Sequence, residues 1–465
     1  MAKSRRDDWF VGVQVNAISL LDDGIEPVLD LFQKEAAANA VIVTAHGFNP
    51  EVIDRPLEFP GHGERGSHHG AGGFFATPHP EFYRDVPLGD FRVREPVFSG
   101  FDVLERVLPA AHSRGMSAYV YVLETASTGG KARNVPGFPR LLEIDMLGRR
   151  GGLPCINNPG YRAWKLGIVE DLEKSYEIDG FLWGVERWGP LHRTLAGECP
   201  VCFCPHCRAL ARERSLDGER VLAGYRALAS AVERWRADRR GSQTPLIELL
   251  RIVMQWPEVV RWESLWTERY LALHRELYGV AKWIAPERPF GLGLWHYYFI
   301  NPLLRAEWDL SEFASSADFI RPILYHLVEG PRIDRYLTLL TEGPFRGFAG
   351  EELHAAFSRA LGLKLPSLAT IGAEGLPGDY VRQGVEIVRR EVGESMPIYA
   401  GIGVDVVQEG FSRRMQPDDV VQAVAAAGEA GADGITVSRN YAEMHVANLK
   451  AVGQALRSAG RPQTS

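Results

Sequence analysis

Apolar runs of strand length alternate with amphipathic segments along the chain. The clearest run is Ile178-Asp-Gly-Phe-Leu-Trp-Gly-Val-Glu186, in which Ile178, Phe181, Leu182, Trp183 and Val185 are almost continuous and a carboxylate closes the run. A strand covered on both faces has this pattern, as in parallel sheets, and Asp179-Gly180 marks the turn into it. Similar runs are Trp9–Asn16, Ala40–His46, Ser117–Glu124, Phe290–His296, Asp318–His326, Pro397–Asp405 and Gly434–Arg439. Helical segments separate them: Gly24–Ala38 with Ile25, Val28, Leu29 and Phe32 at helical spacing, Phe101–Arg114 stopped by Gly115, Tyr161–Tyr176, the long region Gly218–Ala285, Leu310–Ser316, Asp379–Val392, Pro417–Ala430 and Glu443–Ser458.

Eight strand–helix units in this order predict a parallel sheet closed into a (β/α)8 TIM barrel. A doubly wound sheet with a helical domain competes, and the lack of a GxGxxG turn after the first run disfavours it. One barrel domain over residues 1–465 is expected, with insertions 47–98, 125–159, 187–285 and 327–378 after strands two, three, four and six. All four fall in βα loops, so they should gather on the C-terminal face, where barrel active sites lie.

Composition changes this picture little. The chain is 45% hydrophobic and 24% charged, enough for a large core. A net charge of -7 gives no electrostatic case for nucleic acid or an anionic membrane as partner. No run approaches the roughly 20 apolar residues of a membrane span. The charged start Met1–Asp8 is followed by an apolar run of strand length only, so a cytoplasmic protein is the expectation. Self-association into a homo-oligomer is left open. The 11 Trp, 15 Tyr and 21 Phe favour a carbohydrate ligand weakly, since sugars stack on aromatic faces.

The strand ends should ring one mouth: Asn16, His46, Glu124, Glu186, Trp295, His296, Tyr325, His326, Asp405 and Arg439. Carboxylates, imidazoles, aromatics and an arginine suit a small-molecule carbohydrate substrate. Glycoside hydrolysis needs two carboxyl groups across the scissile bond and no cofactor. Glu186 is the first choice for acid/base chemistry; the bland alternative is a surface glutamate paired with Arg187. Asp405 is the natural partner by position, with Glu124 and Glu409 behind it. Asp405 has a structural alternative as loop cap or Arg partner, and Glu124 one as a structural or substrate-hydroxyl contact. Trp188, just past Glu186, and Tyr441, past strand eight, are candidate contacts to the sugar. Arg439 either holds a carboxylate or locks the barrel with Asp405. The loop Gly61–Gly70, continuing to His79, is rich in histidine but matches no zinc spacing, and His79 is a candidate donor to a substrate hydroxyl. Trp262 and Trp266, four apart on one helix face, are expected in the core.

Cys199-Pro-Val-Cys202-Phe-Cys204-Pro-His-Cys207 places four thiols within nine residues. A chain of this kind uses such a cluster for metal more readily than for disulfides. Cys199, Cys202, Cys204 and Cys207 are candidate ligands of a structural zinc. One residue between Cys202 and Cys204 makes joint ligation awkward, so Cys155 or His206 is a substitute ligand. Free thiols organising the loop are an equal alternative.

Cys155-Ile-Asn-Asn-Pro-Gly-Tyr-Arg162, Tyr176-Glu-Ile-Asp-Gly180, Cys202-Phe-Cys-Pro-His-Cys207, Asp318-Phe-Ile-Arg-Pro-Ile-Leu-Tyr325 and Gly431-Ala-Asp-Gly-Ile435, taken in order, resemble bacterial glycosyl-hydrolase-like barrel proteins. These are distantly similar to barrel β-galactosidases and amylases. The resemblance implies a (β/α)8 barrel with an acid after strand four, the position of Glu186. Many such proteins end that strand Asp-Gly-x-x-x-Asp, whereas here it ends Val-Glu. They pair this acid with a glutamate after strand seven, where this chain has Asp405. Barrel β-galactosidases can carry a zinc-binding cysteine cluster, which the resemblance extends to these thiols.

Two other functions compete with glycoside hydrolysis. A metal-dependent lyase, isomerase or epimerase would rest on His46, the histidine-rich loop, His296 and His326. A non-catalytic carbohydrate-binding barrel would need no second carboxylate.

Overall fold

The structure is a computed structural model that describes residues 9–47, 73–84, 86, 100–124, 137–237, 244–408 and 410–460. Eight parallel strands form its centre: β1 (Phe10–Asn16), β2 (Ala40–Thr44), β3 (Ser117–Leu123), β4 (Gly180–Val185), β5 (Phe290–Leu294), β6 (Phe319–Pro322), β7 (Tyr399–Gly403) and β8 (Gly434–Ser438). They pair in the order β6-β5-β4-β3-β2-β1-β8-β7. Two bridges, Ile320 with Ile398 and Ile323 with Gly401, join β6 to β7 and bring the sheet close to closure. The result is the (β/α)8 barrel that the alternation of apolar runs predicts.

Eight helices follow the strands around the outside: α1 (Ile25–Ala36), α2 (Val103–His112), α3 (Pro159–Ser175), α4 (Glu258–Ile284), α5 (Leu310–Ala314), α6 (Asp379–Val392), α7 (Pro417–Glu429) and α8 (Val446–Ser458). Local chemistry sets their ends. Asp102 caps α2 by accepting from the Leu104 and Glu105 amides, and Asn158 caps α3 from Gly160. Four further helices lie between β4 and α4, and three between β6 and α6. No helix among the described residues is long and apolar enough to cross a membrane.

Strand side chains alternate between two destinations. On β1 and β2, Val11, Val13, Val15, Val41 and Val43 face outward and join the large core shared with the helices. Phe10, Ile42, Tyr119, Tyr121, Leu182, Phe319 and Tyr399 form a separate cluster inside the barrel. Large rings fit there because glycines face them. A Cβ on Gly291 would stand 2.0 Å from the Phe319 ring. A third core joins Cys155 and Cys202–Cys207 to the helices after β4, and it includes Trp262. Trp262 stacks on Phe203 with ring centroids 5.4 Å apart, and Trp266 is also buried, as expected.

Candidate active site at the barrel mouth

The two-residue period decides which strand-end residues reach the mouth. On β4, Leu182 belongs to the interior cluster and Gly184 abuts the Tyr121 hydroxyl, so Glu186 continues the inward face one step beyond the strand. Glu186 is half-buried and accepts no hydrogen bond from the described residues. Its surroundings set its proton affinity. Burial raises its pKa above the usual carboxylate value, while Arg321, Arg332 and Arg439 pull against this. The bland pairing of Glu186 with Arg187 is not formed. Arg187 instead points away and binds Glu124 at 3.3 Å and Glu143 at 3.0 Å, all three side chains being almost fully buried.

Arg321, on the inward face of β6, sits in the floor beneath Glu186. Its guanidinium donates to Thr436 Oγ1 at 3.0 Å, to the Tyr325 hydroxyl at 2.9 Å, and to Ser438 Oγ. Gly401 makes room for it, since a Cβ there would lie 2.9 Å from the Arg321 Nε. Sequence reasoning did not single out Arg321. Its place two residues after the inward Phe319 was the available signal.

Glu124 has the opposite parity to Tyr119 and Tyr121, so it turns outward into the core. It is fully buried and accepts from the Tyr161 hydroxyl and, at 3.5 Å, from Tyr270. Asp405 lies past β7 with φ +52. Its oxygens accept from the His445 amide at 2.8 Å and from Asn448 Nδ2 at 2.9 and 3.0 Å, which ties the β7 loop to the start of α8. Burial raises its pKa against those hydrogen bonds. Asp405 also lines a cavity of about 250 Å³ with Tyr325, Phe411, Arg413, Glu443 and His445. Tyr325 and Glu443 of the cavity lining both act on Arg439, which also acts on Glu186.

The other predicted contacts divide. Trp188 and Trp295 meet with ring centroids 5.9 Å apart, and Tyr297 packs edge-on to both, so an aromatic wall begins two residues after Glu186. His296 turns toward the helix His326–Thr341, where its Nδ1 lies 2.8 Å from Glu329 Oε1. Burial would raise the Glu329 pKa, but His296 and Arg332 outweigh it and keep the carboxylate charged. A charged carboxylate only accepts, so Nδ1 carries the proton; burial lowers the His296 pKa, and in the neutral ring Nε2 is the acceptor. Sequence reasoning missed Glu329, which approaches His296 from another element. Asn16 is buried at the end of β1.

His326 and Tyr441 are buried away from the mouth; the Tyr441 ring packs edge-on against Phe32 of α1. His79 is bound to Asp171 of α3 at 2.7 Å, on the outer helical layer. The side chain of His46, Glu409 and the loop Gly61–Gly70 lie outside the described residues.

Four thiols do converge, with one exchange. Cys155, Cys202, Cys204 and Cys207 have sulfurs within 4.8 Å of one another. Cys199 stands outside the group, where Asp145 holds its thiol. The reason is the backbone. Phe203 donates to Ile144 O and Met146 to Pro200 O, which lays 200–203 along 144–146 and turns Cys202 inward. The preceding β-hairpin then delivers Cys155 from the other side: Cys155 Sγ is 3.4 Å from Cys207 Sγ and 3.5 Å from Cys204 Sγ. Sulfurs on a zinc tetrahedron, with Zn–S bonds of about 2.3 Å, lie about 3.8 Å apart. The amides of Ile144 and Asn157 donate to Cys202 and Cys155. These donors would stabilise thiolates, so the quartet fits zinc.

No protein-family model matches the sequence, and no curated protein matches it. Solved structures match over almost the whole chain. The glycoside hydrolase domain of PgaB (BpsB) from Bordetella bronchiseptica has a TM-score of 0.53 at 14% identity, covering 98% of this chain and 100% of that one. The fold is shared with barrel glycoside hydrolases. The β-galactosidases of Marinomonas ef1 and Rahnella sp. R3 have TM-scores of 0.54 and 0.51 at 11% and 16% identity. The chain covers 61% and 56% of their lengths. Identities this low describe the barrel and leave the chemistry to the residues.

Proposed function

We propose that the protein is a glycoside hydrolase that cleaves a small glycoside or oligosaccharide, with Glu186 as an essential carboxylate. The observation that carries this is the placement of Glu186. It is an inward carboxylate after β4, without a hydrogen-bond partner among the described residues, raised in pKa by burial, and followed two residues on by Trp188 of the aromatic wall. A raised pKa suits a group that must hold a proton near neutral pH and give it to a leaving oxygen. Asp405 serves as the second carboxylate, acting from the adjoining cavity, and the aromatic wall and His296 Nε2 bind the sugar. Cys155, Cys202, Cys204 and Cys207 hold a structural zinc, which braces the loop after β4 and supplies no step of the chemistry. Hydrolysis of a glycoside panel by wild type and Glu186→Gln tests this. We expect a loss of about 100-fold or more in kcat with folding intact; a fully active variant rejects the role of Glu186.

The bonds that fix Asp405 to α8 favour one other reading, a barrel that binds sugar without cleaving it. Unaltered sugar recovered from the mouth after prolonged incubation selects that reading.

A further inference from the structure

Behind the aromatic wall, three helices bring together His192 of Pro190–Leu195, Glu263 of α4 and Glu307 of Pro302–Glu307. His192 Nδ1 lies 3.3 Å from Glu263 Oε1 and 3.7 Å from Glu307 Oε2. The three ligating atoms all fall within 4.8 Å of one another. The His192 and Glu263 side chains are 3% and 2% exposed, and that of Glu307 is 14% exposed. Neither glutamate forms an ion pair with Lys or Arg among the described residues. The Leu191 amide donates to Glu263 Oε2 at 2.6 Å, while Glu307 Oε2 is buried and accepts from no donor among the described residues, although it faces the imidazole and its carboxyl meets that of Glu263.

Two buried carboxylates side by side, with one imidazole and no cation, are costly unless something neutralises them. Orphaned buried polar atoms commonly mark an unseen water or ion. The separations have the right size: donors about 2.1 Å from one metal ion in tetrahedral geometry lie about 3.4 Å apart. One imidazole and two carboxylates are also a donor set for a divalent transition metal, with water completing the coordination.

We propose that His192, Glu263 and Glu307 bind a divalent transition-metal ion of the manganese or zinc type. The site is distinct from the thiol quartet, and the proposal does not depend on glycoside hydrolysis. The Trp188 ring lies 5.7 Å from the His192 ring, so the ion would pin together the three elements that hold up the wall of the mouth.

Manganese separates this site from the thiols, because it prefers oxygen and nitrogen donors over soft sulfur. The full chain is titrated with Mn2+ alone and followed by electron paramagnetic resonance and Trp fluorescence. One ion should bind wild type with a magnetic coupling to a single imidazole nitrogen. Glu307→Gln should weaken binding more than about tenfold, and Cys204→Ser should leave it unchanged. The site is rejected if wild type takes up no Mn2+, if the bound ion has no nitrogen coupling, or if Glu307→Gln binds as well as wild type. The nitrogen coupling of the wild type decides the matter even if the variant fails to fold.

Discussion

Glu186 shows how one side chain can be poised by its surroundings. Burial favours its neutral form, and three arginines only partly reverse this. A carboxyl whose folded pKa lies above its unfolded value costs stability once it ionises. The cost is absent below the ordinary value of 4.5 and develops as pH rises through the folded value. Glu186→Gln should therefore melt above wild type at pH 7, and the difference should close near pH 4. Equal melting temperatures at pH 7 would show that the arginines already neutralise the strain. The parity of Glu186 was readable in the chain, since Gly180, Leu182 and Gly184 form a small, apolar inward face that Glu186 continues. The same period separates Glu124 from Tyr121 and His326 from Tyr325. A strand end read only as a location does not make that distinction, and so Glu124 looked like a mouth residue.

Between elements, charge and sulfur join what the sheet does not. Arg187 bridges Glu124 after β3 to Glu143, and Arg193 extends the chain of charges from Glu143 to Glu198. Removing one partner from a buried pair leaves an uncompensated charge. Arg187→Met should cost about 3–5 kcal/mol in urea unfolding, while Arg220→Met, whose pair with Glu258 is largely exposed on its arginine side, should cost under about 1 kcal/mol. The thiols give a parallel contrast. Cys155→Ser should lower bound zinc and thermal stability together, whereas Cys199→Ser should change neither. Loss of zinc from Cys199→Ser alone would reject the quartet. Spacing along 199–207 marked a cluster but not its members. Cys155 arrives through a hairpin pairing 52 residues from Cys207, and no local pattern encodes that contact.

For the whole molecule, the barrel was legible because each strand carries its own apolar run and each helix its own periodicity, and a parallel barrel repeats these eight times. The mouth was only partly legible, because its partners, such as Glu329 for His296, come from helices whose approach is set by packing. Packing also sets the acid limit of the fold. His274 of α4 and His326 are fully buried, and burial holds each neutral, with a pKa of about 4 against an ordinary 6.5. For His326 the nearby Asp419 and Arg413 act in opposite directions and leave burial dominant. The unfolded chain thus binds protons that the folded chain refuses. Stability from these two sites is complete above pH 6.5 and declines as pH falls toward 4, by about 3 kcal/mol for each site at most. Glu186 has the opposite sign, whereas His296 at the mouth, whose pKa burial also lowers, adds to the two histidines in this window. His274→Leu with His326→Leu should flatten the melting temperature between pH 6.5 and 4. An unchanged slope would place the acid sensitivity in the carboxylate pairs.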